Sequence, residues 1–159
     1  MIYAYLDDIY VICNPERARD IFEMTRIALR EDVGINVHLG KCKCWNRAGE
    51  EPPHMAELGT DVWVGGEDTP IQNRGIKVLG SPIGSDEFVR QLCRERLDHE
   101  QIFLNAIANI PDIQSAWLLL LYCACPRCNH TLRTVSPRLK DLYAQGHGAA
   151  IRNTLAATK

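Results

Sequence analysis

Tyr5-Leu6-Asp7-Asp8, near the start of the chain, carries the sharpest chemical signal in the sequence. Two adjacent carboxylates repel one another, and a divalent cation is the simplest way to offset that repulsion. Nucleotidyl transfer by two metal ions needs carboxylates fixed side by side, with the metals ~3.5–4 Å apart holding the attacking and leaving oxygens. Ile2 to Leu6 and Ile9 to Cys13 are rich in aromatic and β-branched residues and read as the strands of a β-hairpin, with Asp7-Asp8 between them. Such a hairpin would fix the backbone and present both acids to solvent. Asp-Asp is nonetheless a poor tight turn, and the competing reading is a solvated acidic turn with no chemistry.

A second cluster is Cys123-Ala124-Cys125-Pro126-Arg127-Cys128-Asn129-His130. Cys125 and Cys128 have zinc-knuckle spacing and His130 is a possible further ligand, so a small zinc-binding or non-catalytic interaction module is the alternative function. Cys123 reads instead as part of an apolar helix, where cysteine packs as a small hydrophobe. Cys42 and Cys44 share one face at period two, which favours core packing. His38, His54, His99 and His147 have no partner acid or nucleophile at a readable spacing. Val64-Gly65-Gly66 is too short for a phosphate-binding loop and precedes no helix.

The elements that must position these residues are legible in outline. Asn14 is a candidate N-cap with Pro15 at the first helical position. Ile21, Phe22, Met24, Ile27 and Ala28 form the predicted buried stripe of that helix, and Gly34 lies past its end. Ile35 to Leu39 reads as a strand, Arg47 to Pro53 as a polar loop, and Asp61–Val64 and Ile76–Ile83 as short strands separated by a Gly/Pro-containing turn. Beyond Gly84 the pattern becomes helical. Ser85 is a candidate N-cap, Asp86 and Glu87 fall in the first turn, and Val89, Cys93, Leu97, Leu104 and Ala108 recur at helical spacing. Pro111-Asp112 opens a second helix containing Trp117 to Leu121, and a third runs from Pro137. The fold class is therefore mixed α/β, of the α+β kind, to about residue 84 and all-helical afterwards.

Composition sets the frame. The 159 residues allow one compact domain or two small packed subdomains, and 46% hydrophobic with 24% charged residues is ordinary for a globular chain. A net charge of -2 argues against a free-standing nucleic-acid binder but leaves room for a local basic surface. Seven cysteines without a disulfide-framework spacing predict reduced thiols in an intracellular compartment. The longest apolar run, Trp117 to Cys125, is about half the ~20 residues that a membrane span requires.

Taken in order along the chain, the motifs resemble those of reverse transcriptases of the non-LTR retrotransposon type. Ala4-Tyr5-Leu6-Asp7-Asp8 looks like their Tyr-x-Asp-Asp palm hairpin. Gly34-Ile35-Asn36-Val37-His38-Leu39-Gly40-Lys41-Cys42 looks like the next palm motif, in which a lysine follows a strand. Ile76-Lys77-Val78-Leu79-Gly80-Ser81-Pro82-Ile83-Gly84 resembles the turn that supports the primer. The resemblance implies a partial antiparallel palm sheet with a connecting helix over residues 1–84 and a thumb-like helical segment over 85–159. Asp7 would ligate Mg²⁺ or Mn²⁺ with Asp8 as the second acid, and Tyr5 would lie under the incoming deoxynucleotide triphosphate or primer end. Lys41 would approach the triphosphate and protonate the leaving pyrophosphate, while Leu79 and Gly80 would grip the primer. Arg127, Arg133, Arg138 and Lys140 would meet phosphates of the RNA template and DNA primer, with a solvated surface as an equal reading. In the family an earlier strand carrying a further carboxylate, and the template-holding fingers, precede this hairpin. The expectation is that the chain is a fragment that polymerises nothing alone until a missing portion supplies both.

Overall fold

Alternation with period two builds the first hairpin. The computed structural model describes residues 1–6 and 8–158. Strands β1 (Ile2–Tyr5) and β2 (Asp8–Val11) pair antiparallel, with Ile2 opposite Val11, Tyr3 opposite Tyr10, Ala4 opposite Ile9 and Tyr5 opposite Asp8. Opposed residues share a face, so Ile2, Ala4, Ile9 and Val11 line one side and Tyr3, Tyr5, Asp8 and Tyr10 the other. Met1 and Ile12 extend the ladder through Ile12 N–H to Met1 O at 2.8 Å and the terminal amine to Ile12 O at 2.7 Å. The chain is α+β, as the sequence predicts. It divides into two compact units, Met1–Val78 with Ile83–Ser85, and Leu79–Pro82 with Asp86–Lys159.

In the first unit, Asn14 accepts a hydrogen bond from Glu16 N–H at 3.0 Å, and Pro15 opens a 3₁₀ turn leading into α1 (Ala18–Asp32). The half-buried stripe of α1 is Ala18, Ile21, Phe22, Thr25 and Leu29, rather than one including Met24, Ile27 and Ala28, which are exposed. The reason is the small size of the core that α1 meets. Ala18 and Phe22 pack on Met55, Leu58 and Val62, a cluster only wide enough for one edge of the helix. Gly34 ends the helix in the left-handed region, φ +73°, as expected of a terminating glycine.

Two predicted strands are not formed. Ile35 N–H turns back to Leu29 O at 2.9 Å, and His38 O accepts Lys41 N–H at 3.0 Å, so residues 35–39 spend these groups locally and end in a 3₁₀ turn (Leu39–Lys41). Over Asp61–Val64 a single parallel bridge remains, Cys44 with Trp63, made by Cys44 N–H to Val62 O and Val64 N–H to Cys44 O. Glycines 59, 65 and 66 flank this stretch and shorten any strand there. The Ile76–Ile83 strand is instead a second hairpin, β3 (Gly75–Val78) and β4 (Ser81–Gly84), turning at Leu79-Gly80.

The second unit is helical. α2 (Asp86–Ala108) runs for ~35 Å at 1.5 Å per residue and packs chiefly on α5 (Pro137–Ala157). Its predicted apolar positions Val89, Cys93 and Leu104 are buried. They join two clusters, one with Val135, Leu139 and Tyr143, the other with Ile107, Ala116, Leu120 and Ala124. Asp112 caps α3 (Ile113–Leu119) by accepting from Ser115 N–H at 2.9 Å. The expected continuous second helix is interrupted: a wide π-turn over Leu120–Ala124 and a 3₁₀ turn over Cys125–Arg127 separate α3 from α4 (Cys128–Thr134). Pro126 explains this, because it donates no N–H to Tyr122 O and its ring would collide with that carbonyl in a regular helix. Among the described residues, no helix is long and apolar enough to cross a membrane.

Candidate functional site

The hairpin closes through a tight loop, since Tyr5 at the end of β1 pairs directly with Asp8 at the start of β2. Such loops favour turns with positive φ, and Leu6 adopts φ +53° with 89% of its surface exposed. Of the predicted acidic pair, only Asp8 falls among the described residues. Asp8 is the first residue of β2, directly opposite Tyr5, so its carboxylate shares a face with the Tyr5 and Tyr10 rings. Tyr10 OH donates to Asp8 Oδ2 at 2.9 Å, which orients the carboxylate and leaves Oδ1 open among the described residues. Asp7, the first-named metal ligand, lies outside the described residues.

An exposed carboxylate with one free oxygen suits Mg²⁺, which keeps several waters and takes one or two carboxylates plus substrate phosphates. Among the described residues, no three His, Cys, Asp or Glu side chains gather to hold a metal. What the described residues contribute to the candidate site is therefore the exposed Asp8 carboxylate at the start of β2, flanked on its face by Tyr5 and Tyr10.

Lys41 is exposed at the end of a 3₁₀ turn, not on a strand. Among the described residues, no hydrogen bond or ion pair ties it to the hairpin. Leu79 and Gly80 form the β3–β4 turn at φ +49° and +78°, the primed geometry that a two-residue hairpin loop requires. Gly80 O accepts from the Arg96 guanidinium.

The four predicted phosphate-facing cations separate into two kinds. Arg138 is paired with Asp86 at 2.8 Å, and Lys140 Nζ donates to Leu132 O at 2.7 Å beyond the end of α4, so both have local structural duties. Arg133 is exposed in the last turn of α4. Arg127 lies over the Phe103 ring, 5.0 Å from its centre.

Cys125, Cys128 and His130, the residues of the zinc alternative, lie on the 3₁₀ turn after the π-turn and in the first turn of α4. Cys128 Sγ lies 3.4 Å from Cys125 O, and burial raises the Cys128 thiol. Cys42 and Cys44 pack against the Met55–Leu58–Val62 cluster, and burial pushes the Cys44 thiol up to about 11. All seven cysteines are free.

Sequence reasoning missed a buried polar network. Glu100 on α2 accepts from Tyr143 OH at 2.5 Å and meets His147 Nδ1 at 2.7 Å, both partners on α5. His147, read as lacking an acid partner, has one 47 residues away, and His54 finds Glu57 at 2.9 Å. The available signal was the spacing of Tyr143 and His147, one helical turn apart on a stripe that also carries Leu139. The sequence matches no family model, no curated protein and no solved structure.

Proposed function

We propose that the chain is part of an RNA-directed DNA polymerase of the non-LTR retrotransposon kind, contributing the metal-binding hairpin of the palm and a helical thumb-like unit. The observation that carries the reading is Asp8 opening β2 directly opposite Tyr5, next in sequence to the second acid Asp7. In that arrangement Asp7 and Asp8 hold Mg²⁺ or Mn²⁺, which supplies the charge that stabilises the attacking and leaving oxygens of nucleotidyl transfer. Tyr5, on the Asp8 face, stacks beneath the incoming deoxynucleotide or primer end. Lys41, exposed on a short turn, acts as the proton donor to pyrophosphate, and the Leu79-Gly80 turn lies against the primer of an RNA–DNA duplex. Two carboxylates are too few for a full two-metal clamp, so polymerisation requires a further carboxylate strand and a template-holding portion.

Paramagnetic broadening by Mn²⁺ tests the site directly. Millimolar Mn²⁺ is expected to broaden the NMR signals of Tyr5, Asp8 and Tyr10 selectively, with competition by Mg²⁺ and loss of the effect in Asp7→Asn. Broadening that is spread evenly over the surface, or unchanged in both Asp7→Asn and Asp8→Asn, would refute the metal site and the polymerase reading with it.

A further inference from the structure

The helical unit contains a hollow of about 260 Å³ that none of the hairpin chemistry uses. Its floor is closed by Thr131 and Tyr143, both buried, and by Glu100. The single acid on the lining is already engaged, one oxygen by Tyr143 OH and the other by His147. Around the mouth stand Arg96, Arg127, His99 and His130.

The two arginines are held in place without a counter-charge. Arg96 Nη1 donates to Thr131 Oγ1 at 2.5 Å and its Nη2 to Gly80 O, which directs the planar fork while leaving its charge unneutralised. Arg127 rests on the Phe103 ring. Among the described residues neither has a carboxylate within ion-pair distance, whereas Arg19, Arg26, Arg90, Arg94 and Arg138 each do. Guanidinium groups fixed in this way and lining one hollow are suited to bidentate recognition of an oxyanion. The volume is below the ~300–1,000 Å³ of sites that enclose drug-sized ligands, so it accommodates one phosphate group rather than a whole nucleotide.

We propose that this hollow is an oxyanion site holding a single phosphate group, with Arg96 and Arg127 as its binding cations and the Gly80 turn and His130 at its edge. A Cβ at Gly80 would lie 3.4 Å from His130 Cε1, so the absence of a side chain there keeps that edge of the mouth clear. The site rests on this geometry and stands whether or not the hairpin binds metal.

Titration of the full chain with inorganic phosphate, followed by NMR against sodium chloride at matched ionic strength, tests it. Saturable shifts are expected at the Gly80 and Thr131 amides and at the His130 ring. Arg96→Gln and Arg127→Gln should each weaken phosphate binding by about tenfold or more, the loss of one charge-assisted interaction. Arg152→Gln, which removes an exposed charge elsewhere on α5, should leave binding unchanged. If Arg96→Gln perturbs folding through its Thr131 and Gly80 bonds, Arg127→Gln decides the matter. Displacement of phosphate by a short RNA–DNA duplex would assign the group to a nucleic-acid backbone, and retention in its presence would assign a free small phosphate; both keep the oxyanion site. No saturable shift, or equal binding by Arg127→Gln, overturns it.

Discussion

Tyr143 is 1% exposed and its hydroxyl donates to a carboxylate, Glu100, that is itself 7% exposed. Burial first, and the neighbouring carboxylate second, hold the phenol well above its ordinary value. The folded chain therefore retains a proton that the unfolded chain releases at about pH 10. Stability from this group is complete below that pH and is lost as pH rises toward the folded value. Tyr143→Phe should flatten the alkaline decline while costing about 1–3 kcal/mol at neutral pH, because a buried Glu100 oxygen loses its donor. Denaturant unfolding across neutral to strongly alkaline pH checks both parts, and an unaltered alkaline slope in the variant would count against the network. Gly80 gives a second prediction at this scale. At φ +78° a side chain is strained, so Gly80→Ala should destabilise by about 1–2 kcal/mol, read from a lowered denaturation midpoint. Of these residues, the strands of the β1–β2 hairpin were legible in the sequence, because period-two alternation is local, whereas the residues from Ile76 to Ile83 read as strand and the Leu79-Gly80 turn was reached only through the family resemblance. The Glu100–His147 pair was not, because its members come together only when two helices separated by 47 positions pack.

At the scale of elements, α2 and α5 approach closely where Gly146 meets Leu97. A Cβ at Gly146 would lie 2.8 Å from Leu97 Cδ1. Gly146→Ala gains about 1 kcal/mol of helix propensity and asks only the tip of a flexible side chain to move, so it should be close to neutral. Gly146→Val cannot be absorbed in this way and should destabilise by about 1–3 kcal/mol through overpacking. Combining it with Leu97→Ala should recover part of that loss, and a double-mutant cycle measures the coupling; strictly additive effects would mean that the two side chains do not limit the helix approach. The same scale explains which elements could be read in advance. Ends marked by Asn14, Gly34 and Asp112 were legible because caps act within a few residues. The strand read at Ile35–Leu39 failed because strand propensity needs a neighbouring edge, and the backbone there bonds to its own helix and turn instead. The π-turn before Pro126 escaped the helical pattern because Trp117 to Cys125 is apolar at nearly every position and so carries no period to break.

Across the whole molecule, apolar burial is unevenly shared. The helical unit encloses two clusters that include Leu104, Ile107, Leu120 and Tyr143, each at most 3% exposed. The first unit buries a single small cluster of Met55, Leu58 and Val62. The β1–β2 hairpin adds little to it, since Ile2, Ile9 and Val11, the apolar side of the ladder, all remain exposed. A two-stranded hairpin with an uncovered face is marginal in water. Local opening free energies should therefore run from near zero in β1 and β2 to the global value in the middle of α2 and α5. Amide hydrogen exchange is expected to show this gradient, with the β1 and β2 amides exchanging far faster than those of Leu104, Ile107 and Tyr143. Mn²⁺ or Mg²⁺ should slow exchange in β1 and β2 selectively if the acidic tip binds metal, because a ligand bound only by the closed hairpin stabilises it in proportion to occupancy. Inorganic phosphate should instead slow exchange around Arg96, Thr131 and the Gly80 turn. The two ligands thus report on different residues, so either site can fail without disguising the other, and equal protection across both units in the unliganded chain would contradict the uneven burial from which the gradient follows.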